Sequence, residues 1–285
     1  GKEFEQKQPK YISSAISAII KQGRVVFHAG ETHYASTNLL HGNVSDIESS
    51  NIVKFKTICG SNKITCEILQ SRIRDFSCSK LLVIGDTIVD NYVACDAVGM
   101  SAEAPVLVVK ELENREFIGG AAIVASHVRA LGAKCYYISV VGDDLLSSSV
   151  KEVLDNRDID TNLIIDPSRP TTYKTRYMVE NQKLFRVSRI KDHKISEKIE
   201  NEVINKLNDL ASDIDGIMVS DFVYGVITSN ILTEILRLAK KFNLKLFGDL
   251  QCSSQVGKVT KFNKFDLITP TEKEARIALD DNESG

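Results

Sequence analysis

Two aspartates, Asp86 and Asp90, stand four residues apart in the run LLVIGDTIVD at residues 81–90, against a stretch of buried-strand character. Further on, Gly119-Gly120 offers a place where backbone without a Cβ can come close to a ligand. Carboxylates beside a strand end, with a close-approach backbone nearby, suit a small polar molecule, because ligands of α/β proteins bind outside the carboxyl ends of strands. Cationic candidates lie later: a period-2 reading puts Lys174 and Arg176 on one face of a strand, with Tyr173, Thr175 and Tyr177 on the other. Asp221 in VSDF and Asp249 in FGDL end two further apolar runs. Carboxylates so placed commonly meet Mg²⁺ or phosphate through water. His28, His33 and His41 have spacings that fit neither a strand period nor a helix face, so no metal centre is expected of them. His127 falls inside an amphipathic helical stretch and reads as a packing or surface residue.

The elements that must position these residues follow from periodicity and punctuation. Residues 10–22 predict a short helix and GRVVFHAG (23–30) a strand. Ser36 or Thr37 can cap a helix beginning near Asn38. Residues 43–62 are polar and weakly patterned, as a linker would be. Ile64, Ile68 and Ile73 predict a connecting helix over 63–76. From Leu81 strands and helices alternate: LLVIGD, the helix 119–133, the strand 135–142, the helix SSVKEVLDNR, the strand 216–222, the helix SNILTEILRLAKKFN, and strands over 244–250 and 265–270. Such alternation predicts an α/β fold, a parallel sheet covered by helices on both faces. Two stretches, 105–118 and 171–190, read as β-hairpins, the second turning at residues 180–183. Together they would form a small sheet projecting from the main one, placed to act as a lid.

Composition bounds the alternatives. A length of 285 residues fits one large or two small domains, and 43% hydrophobic with 26% charged residues is ordinary for a globular protein. The net charge of −2 gives no reason to expect nucleic acid or an anionic membrane as partner. No apolar run approaches the ~20 residues of a spanning helix, and GKEFEQKQPK lacks the apolar core of a signal peptide. Six cysteines without a C-x-x-C pair read as reduced thiols, which points to the cytoplasm.

Several of these pieces, in order, resemble the ribokinase/PfkB-type sugar kinases, most closely the heptose-phosphate-kinase branch: VIGDTIVDNYV, SAEAPV, GGAAIVASHVRALGA, VVGDD, TTYKTRYMVENQKLFRV, VSDFVYGVIT and LITPTEKEA, over residues 80–279. The resemblance implies a ribokinase-like three-layer α/β/α fold with a β lid, ATP as phosphate donor, Mg²⁺, and a homodimer formed through the lid. It implies that Asp86, Asp90, Gly119 and Gly120 hold substrate hydroxyls, a short carboxylate being suited to a vicinal diol. Lys174, Arg176 and Arg186 would face the substrate and its phosphate, since guanidinium groups match phosphomonoesters. Asp221, Asp249 and Glu274 would organise Mg²⁺ and phosphates. The family pattern usually has asparagine at Ile123 and Thr271, lysine at Tyr224, and D-P-K where this chain has Asp249-Leu250-Gln251. No catalytic residue is assigned: the family's G-A-G-D element, which carries the base and the anion hole, is expected beyond residue 285.

A second resemblance covers the start. GRVVFHAGETHYASTNLL looks like the end of a cytidylyltransferase-type nucleotidyltransferase domain, implying nucleotide-phosphate contacts at Thr32, Ser36 and Thr37. The expected organisation is therefore a transferase remnant over 1–42, a linker and connecting helix over 43–79, and the first two-thirds of a kinase domain over 80–285. The reading that follows is an ATP-dependent carbohydrate kinase, part of a bifunctional enzyme of nucleotide-activated sugar synthesis, inactive as this piece. The alternative is a degenerate sugar- or nucleotide-binding module; a free-standing nucleotidyltransferase is the weakest reading.

Overall fold

The computed structural model describes residues 44–180, 182–252 and 257–280, with side chains from Ile52 onward. The strand and helices expected before residue 43, and with them Thr32, Ser36 and Thr37, lie outside the described residues. The chain divides into two units, residues 1–66 and 67–285. In the first, Val44–Ser61 is a helix, α1. This stretch, expected as a linker, lacked a helical signature because it buries no apolar stripe: Ile52, Val53, Phe55 and Ile58 are all exposed. Helix α2, Cys66–Asp75, is the connecting helix the isoleucine spacing predicted.

The second unit is built on a six-stranded sheet in the order β10-β9-β8-β1-β4-β5, parallel throughout. Its strands are β1 (Lys80–Gly85), β4 (Lys134–Val141), β5 (Asp160–Ile165), β8 (Gly216–Asp221), β9 (Lys245–Leu250) and β10 (Leu267–Ile268). Alternate residues of these strands feed two cores. Leu82, Ile84 and Ile138 pack with Ile199, Val203 and Leu207 of helix α5 (Glu197–Leu210) and Ile231, Ile235 and Leu238 of helix α6 (Ser229–Phe242). Val83, Cys135 and Tyr137 pack with Ala121, Ala122 and Ala125 of helix α3 (Ala121–Ala130) and Val150 and Leu154 of helix α4 (Leu145–Asp155). Helices on both faces thus follow from strands whose side chains are apolar at odd and even positions alike. A last helix, α7, spans Glu272–Leu279.

A second, four-stranded sheet has the order β3-β2-β6-β7. Here the structure corrects one sequence reading. Residues 105–118 are not a hairpin of their own: β3 (Leu107–Gly120) is one strand, antiparallel to β2 (Thr87–Met100). The chain leaves β1 and continues almost at once into the lid, so Asp90 sits in β2 and not at the end of the core strand. The sequence reading ended the strand LLVIGD at Asp86, whereas β2 runs on through Asp90 and alternates buried with less buried residues as far as Cys95. The second hairpin is as expected, β6 (Thr172–Val179) against β7 (Gln182–Arg189), with Glu180 in the left-handed region at φ 51°. Strand β5 and helix α5 were not anticipated, although Ile199, Val203 and Leu207 recur at helical spacing behind the N-cap Ser196.

Candidate functional site

Sheet register brings the expected residues together. Across the lid, Arg115, Tyr92, Arg176 and Arg186 are successive cross-strand neighbours; in the next row so are Phe117, Asp90, Lys174 and Ser188. Rows two residues apart share a face, so Asp90, Lys174, Arg176 and Arg186 occupy one surface of the lid. Asp90 is ion-paired to Arg176, the two side chains being 20% and 17% exposed. The Arg176 guanidinium also lies 5.1 Å from the centre of the Tyr92 ring. Arg115, Tyr92 and Phe117 escaped the sequence reading. The signal was present in the alternation of 105–118, but a separate hairpin there broke their register with Asp90.

Lys174 is only 2% exposed, and its ammonium lies 4.9 Å from the ring of Tyr224 and 5.6 Å from that of Phe222. The glycine pair works as close-approach backbone, toward the protein's own groups. A Cβ on Gly119 would lie 2.4 Å from Oδ2 of Asp90, and one on Gly120, at φ +61°, only 2.2 Å from the carbonyl oxygen of Asp86.

Asp86 bridges β1 and β2 but is 2% exposed. Its Oδ2 accepts hydrogen bonds from the amides of Phe222 (2.7 Å) and Tyr224 (3.4 Å), while Oδ1 has no partner. Burial, with the neighbouring Asp221 carboxylate, pushes its pKa up to about 7 against the pull of those amides.

The three residues expected to organise a cation stand at or near the carboxyl rim of the main sheet. Asp221 pairs with Lys261 and accepts the Val223 amide at 2.6 Å. Asp249 is held by the side-chain amide of Gln251 (3.0 Å) and by the Thr269 hydroxyl (2.9 Å). Glu274 closes a capping box with Thr271 at the start of α7 and accepts the Cys252 amide at 2.9 Å. Burial opposes its ionisation, but these hydrogen bonds prevail and hold its pKa below the usual range. Among the described residues no cluster of three or more His, Cys, Asp or Glu side chains could hold a metal ion. Each of these carboxylates accepts hydrogen bonds from protein donors.

The family pattern's departures now have locations. Tyr224 provides the ring against the Lys174 ammonium. Leu250 is fully buried, and Gln251 secures Asp249. Ile123 lines a cavity of about 240 Å³ with Val89, Ile118, Leu146 and Val150.

Comparison with known proteins identifies this architecture. The family described as pfkB family carbohydrate kinase matches residues 79–284. The chain belongs to the pfkB family. Among curated pfkB relatives, bifunctional protein HldE of Campylobacter jejuni (strain RM1221) is 35% identical over 201 residues, 70% of this chain and 41% of that protein. Bifunctional protein HldE of Geobacter sulfurreducens is 35% identical over 208 residues, 71% of this chain and 42% of that protein. The chain thus spans about two-fifths of the length of these relatives. Among solved structures, phosphofructokinase-2 from Escherichia coli in complex with substrates and products superposes with a TM-score of 0.57 at 12% identity, covering 73% of this chain and 65% of that one. Arabidopsis thaliana ribokinase complexed with ribose and ATP gives 0.51 at 14% identity, covering 70% and 63%. At such identities these likenesses establish the fold, a ribokinase-like parallel α/β sheet with a small additional sheet, as the pfkB assignment requires.

Proposed function

We propose that this chain is the greater part of a kinase domain that phosphorylates a sugar phosphate of the heptose-phosphate type, within a bifunctional protein of nucleotide-activated sugar synthesis. One observation carries the proposal: an acidic acceptor, Asp90, shares a lid face with Lys174, Arg176 and Arg186. Asp90 accepts hydrogen bonds from adjacent sugar hydroxyls, with Gly119 keeping the backbone beside it low. Arg176 and Arg186 receive the phosphate the substrate already carries. Arg176 then exchanges its carboxylate partner for a dianion that both guanidinium groups can share. Lys174 supplies a positive charge from a dry pocket, where electrostatic attraction is less screened than in water. Gly120 shapes the start of α3. ATP is the donor, and Mg²⁺ neutralises phosphate charge when bound; Asp221, Asp249 and Glu274 serve this part of the site by fixing the loops around it.

The lid also supports a homodimer. The β2–β3 arm runs beyond its pairing with β6, which ends at Cys95, and Val98, Met100, Val106 and Leu107 there are exposed. Among the described residues no helix is long and apolar enough to cross a membrane; a cytoplasmic location remains part of the proposal.

Calorimetric titration with ribose, hexose and heptose phosphates tests the reading. A heptose phosphate is expected to bind most tightly, and Asp90→Ala to weaken it about tenfold or more, the scale of a lost hydrogen bond to a charged acceptor. Equal binding by both proteins would remove Asp90 from the site. A second reading, a sugar- or nucleotide-binding module without turnover, is favoured by Gln251 and Tyr224, which replace two cations, and by a Glu274 fully engaged as a cap. Phosphoryl transfer by the natural full-length protein would exclude it.

A further inference from the structure

The residues Phe222–Val226, which follow β8, adopt a backbone that does not hold itself. Val223 has φ +64°, a conformation a β-branched side chain almost never takes. Such strain persists only where the surroundings enforce it. Gly225, at φ +90°, passes so close to the 193–194 segment that a Cβ there would lie 2.2 Å from the His193 carbonyl oxygen.

Two buried side chains grip this turn from opposite polarity. Arg169 donates to the carbonyl of Tyr224 at 2.9 Å and to that of His193 at 2.7 Å, and is itself held by Asp166 at 2.9 Å. Asp86 accepts the amides of Phe222 and Tyr224, and the Val226 amide acts on it as well. Carbonyls are thus tied to a guanidinium and amides to a carboxylate.

The same turn carries the two rings that meet Lys174, whose ammonium pairs with no carboxylate among the described residues. Cation–π attraction holds the ammonium against those rings. Its position therefore depends on where those rings stand.

We infer that Asp86 is a positioning residue, clamping the Phe222–Val226 turn so that Phe222 and Tyr224 hold the Lys174 ammonium beside Asp90 for an incoming sugar phosphate. This assigns Asp86 a role other than the direct substrate contact expected from sequence, and rests on the substrate site proposed above. Its Oδ2 is occupied by amides and its Oδ1 is sealed from solvent, so neither oxygen is presented to a ligand.

The test compares Asp86→Ala, Asp86→Asn and Asp90→Asn by amide hydrogen exchange over residues 222–226 without ligand, and by calorimetry with sedoheptulose 7-phosphate. Asp86→Ala is expected to speed exchange of these amides about tenfold or more, by releasing the turn to local opening, and to weaken binding by about tenfold. Asp86→Asn keeps an acceptor oxygen for the amides and should retain both properties within about threefold. Asp90→Asn should lose affinity with exchange in the turn unchanged. The inference is overturned if Asp86→Ala leaves exchange unaltered, or if Asp86→Asn loses affinity while exchange stays at the wild-type level, the mark of direct contact through charge. Should the alanine variant not fold, the asparagine variant alone decides between these outcomes. If the wild-type protein binds no sugar phosphate, the substrate reading fails, while the exchange comparison still accepts or rejects the clamp.

Discussion

Asp86 retains its proton to about pH 7 in the folded protein, because burial and the Asp221 carboxylate both disfavour its charge. In the unfolded chain the same group ionises near 3.8. The native state therefore binds the extra proton, and the stability that binding contributes is full below the unfolded value and lost as pH rises through 7. Each pH unit separating the two values corresponds to ~1.4 kcal/mol, which sets an upper limit of a few kcal/mol. Differential scanning calorimetry should give a lower Tm at pH 8 than at pH 5.5. Asp86→Asn should flatten that slope, and a slope equal in both proteins would show that Asp86 is not its source. Asp144 and Asp166, whose pKa values burial opposes but hydrogen bonds depress, act in the other direction and only at more acid pH.

The junction between the lid and the main sheet rests on Gly119 and Gly120, and the two should fail differently. Gly120→Ala would drive a Cβ into the Asp86 carbonyl at a positive φ, backbone against backbone, with no cheap relief. We expect about 1–3 kcal/mol of destabilisation in urea unfolding, the cost of enforced strain. The obstacle to Gly119→Ala is the Asp90 carboxylate, the far end of a side chain that can turn aside. That variant should keep most of its stability but displace Asp90 from Arg176, lowering sugar-phosphate affinity as Asp90→Ala does. Equal unfolding midpoints for the two alanine variants would contradict this assignment of contacts.

At the largest scale, the second unit is a helix-covered parallel sheet with a second sheet growing from β1, and the far end of that second sheet exposes a group of large apolar side chains. An arm bearing Val98, Met100 and Leu107 in water suits a second copy of the lid, provided burial reaches the ~800 Å² per partner of a stable interface. Sedimentation equilibrium should find a dimer at micromolar concentration. Met100→Asp with Leu107→Asp should shift it to monomer while leaving the circular dichroism spectrum unchanged, since neither side chain packs inside the fold. A monomeric wild-type protein would end the proposal.

Sequence alone determined the parallel α/β core, because β1, β4, β8 and β9 are apolar runs separated by helices of clear period, and that signal is local. The β6–β7 hairpin and the common face of Lys174 and Arg176 were legible in the same way, since both follow from period 2. Tertiary structure decided where β2 ends, since antiparallel partnership with β3 depends on register between segments separated by a long turn, and no single segment contains it. It decided likewise that Arg115 joins the row of Arg176 and Arg186, and that the carboxylate of Asp86 faces backbone amides of Phe222 and Tyr224. Those partners lie 136 and 138 residues away along the chain. Local periodicity fixes which face of a strand a side chain takes; what stands opposite it is set by how distant elements pack.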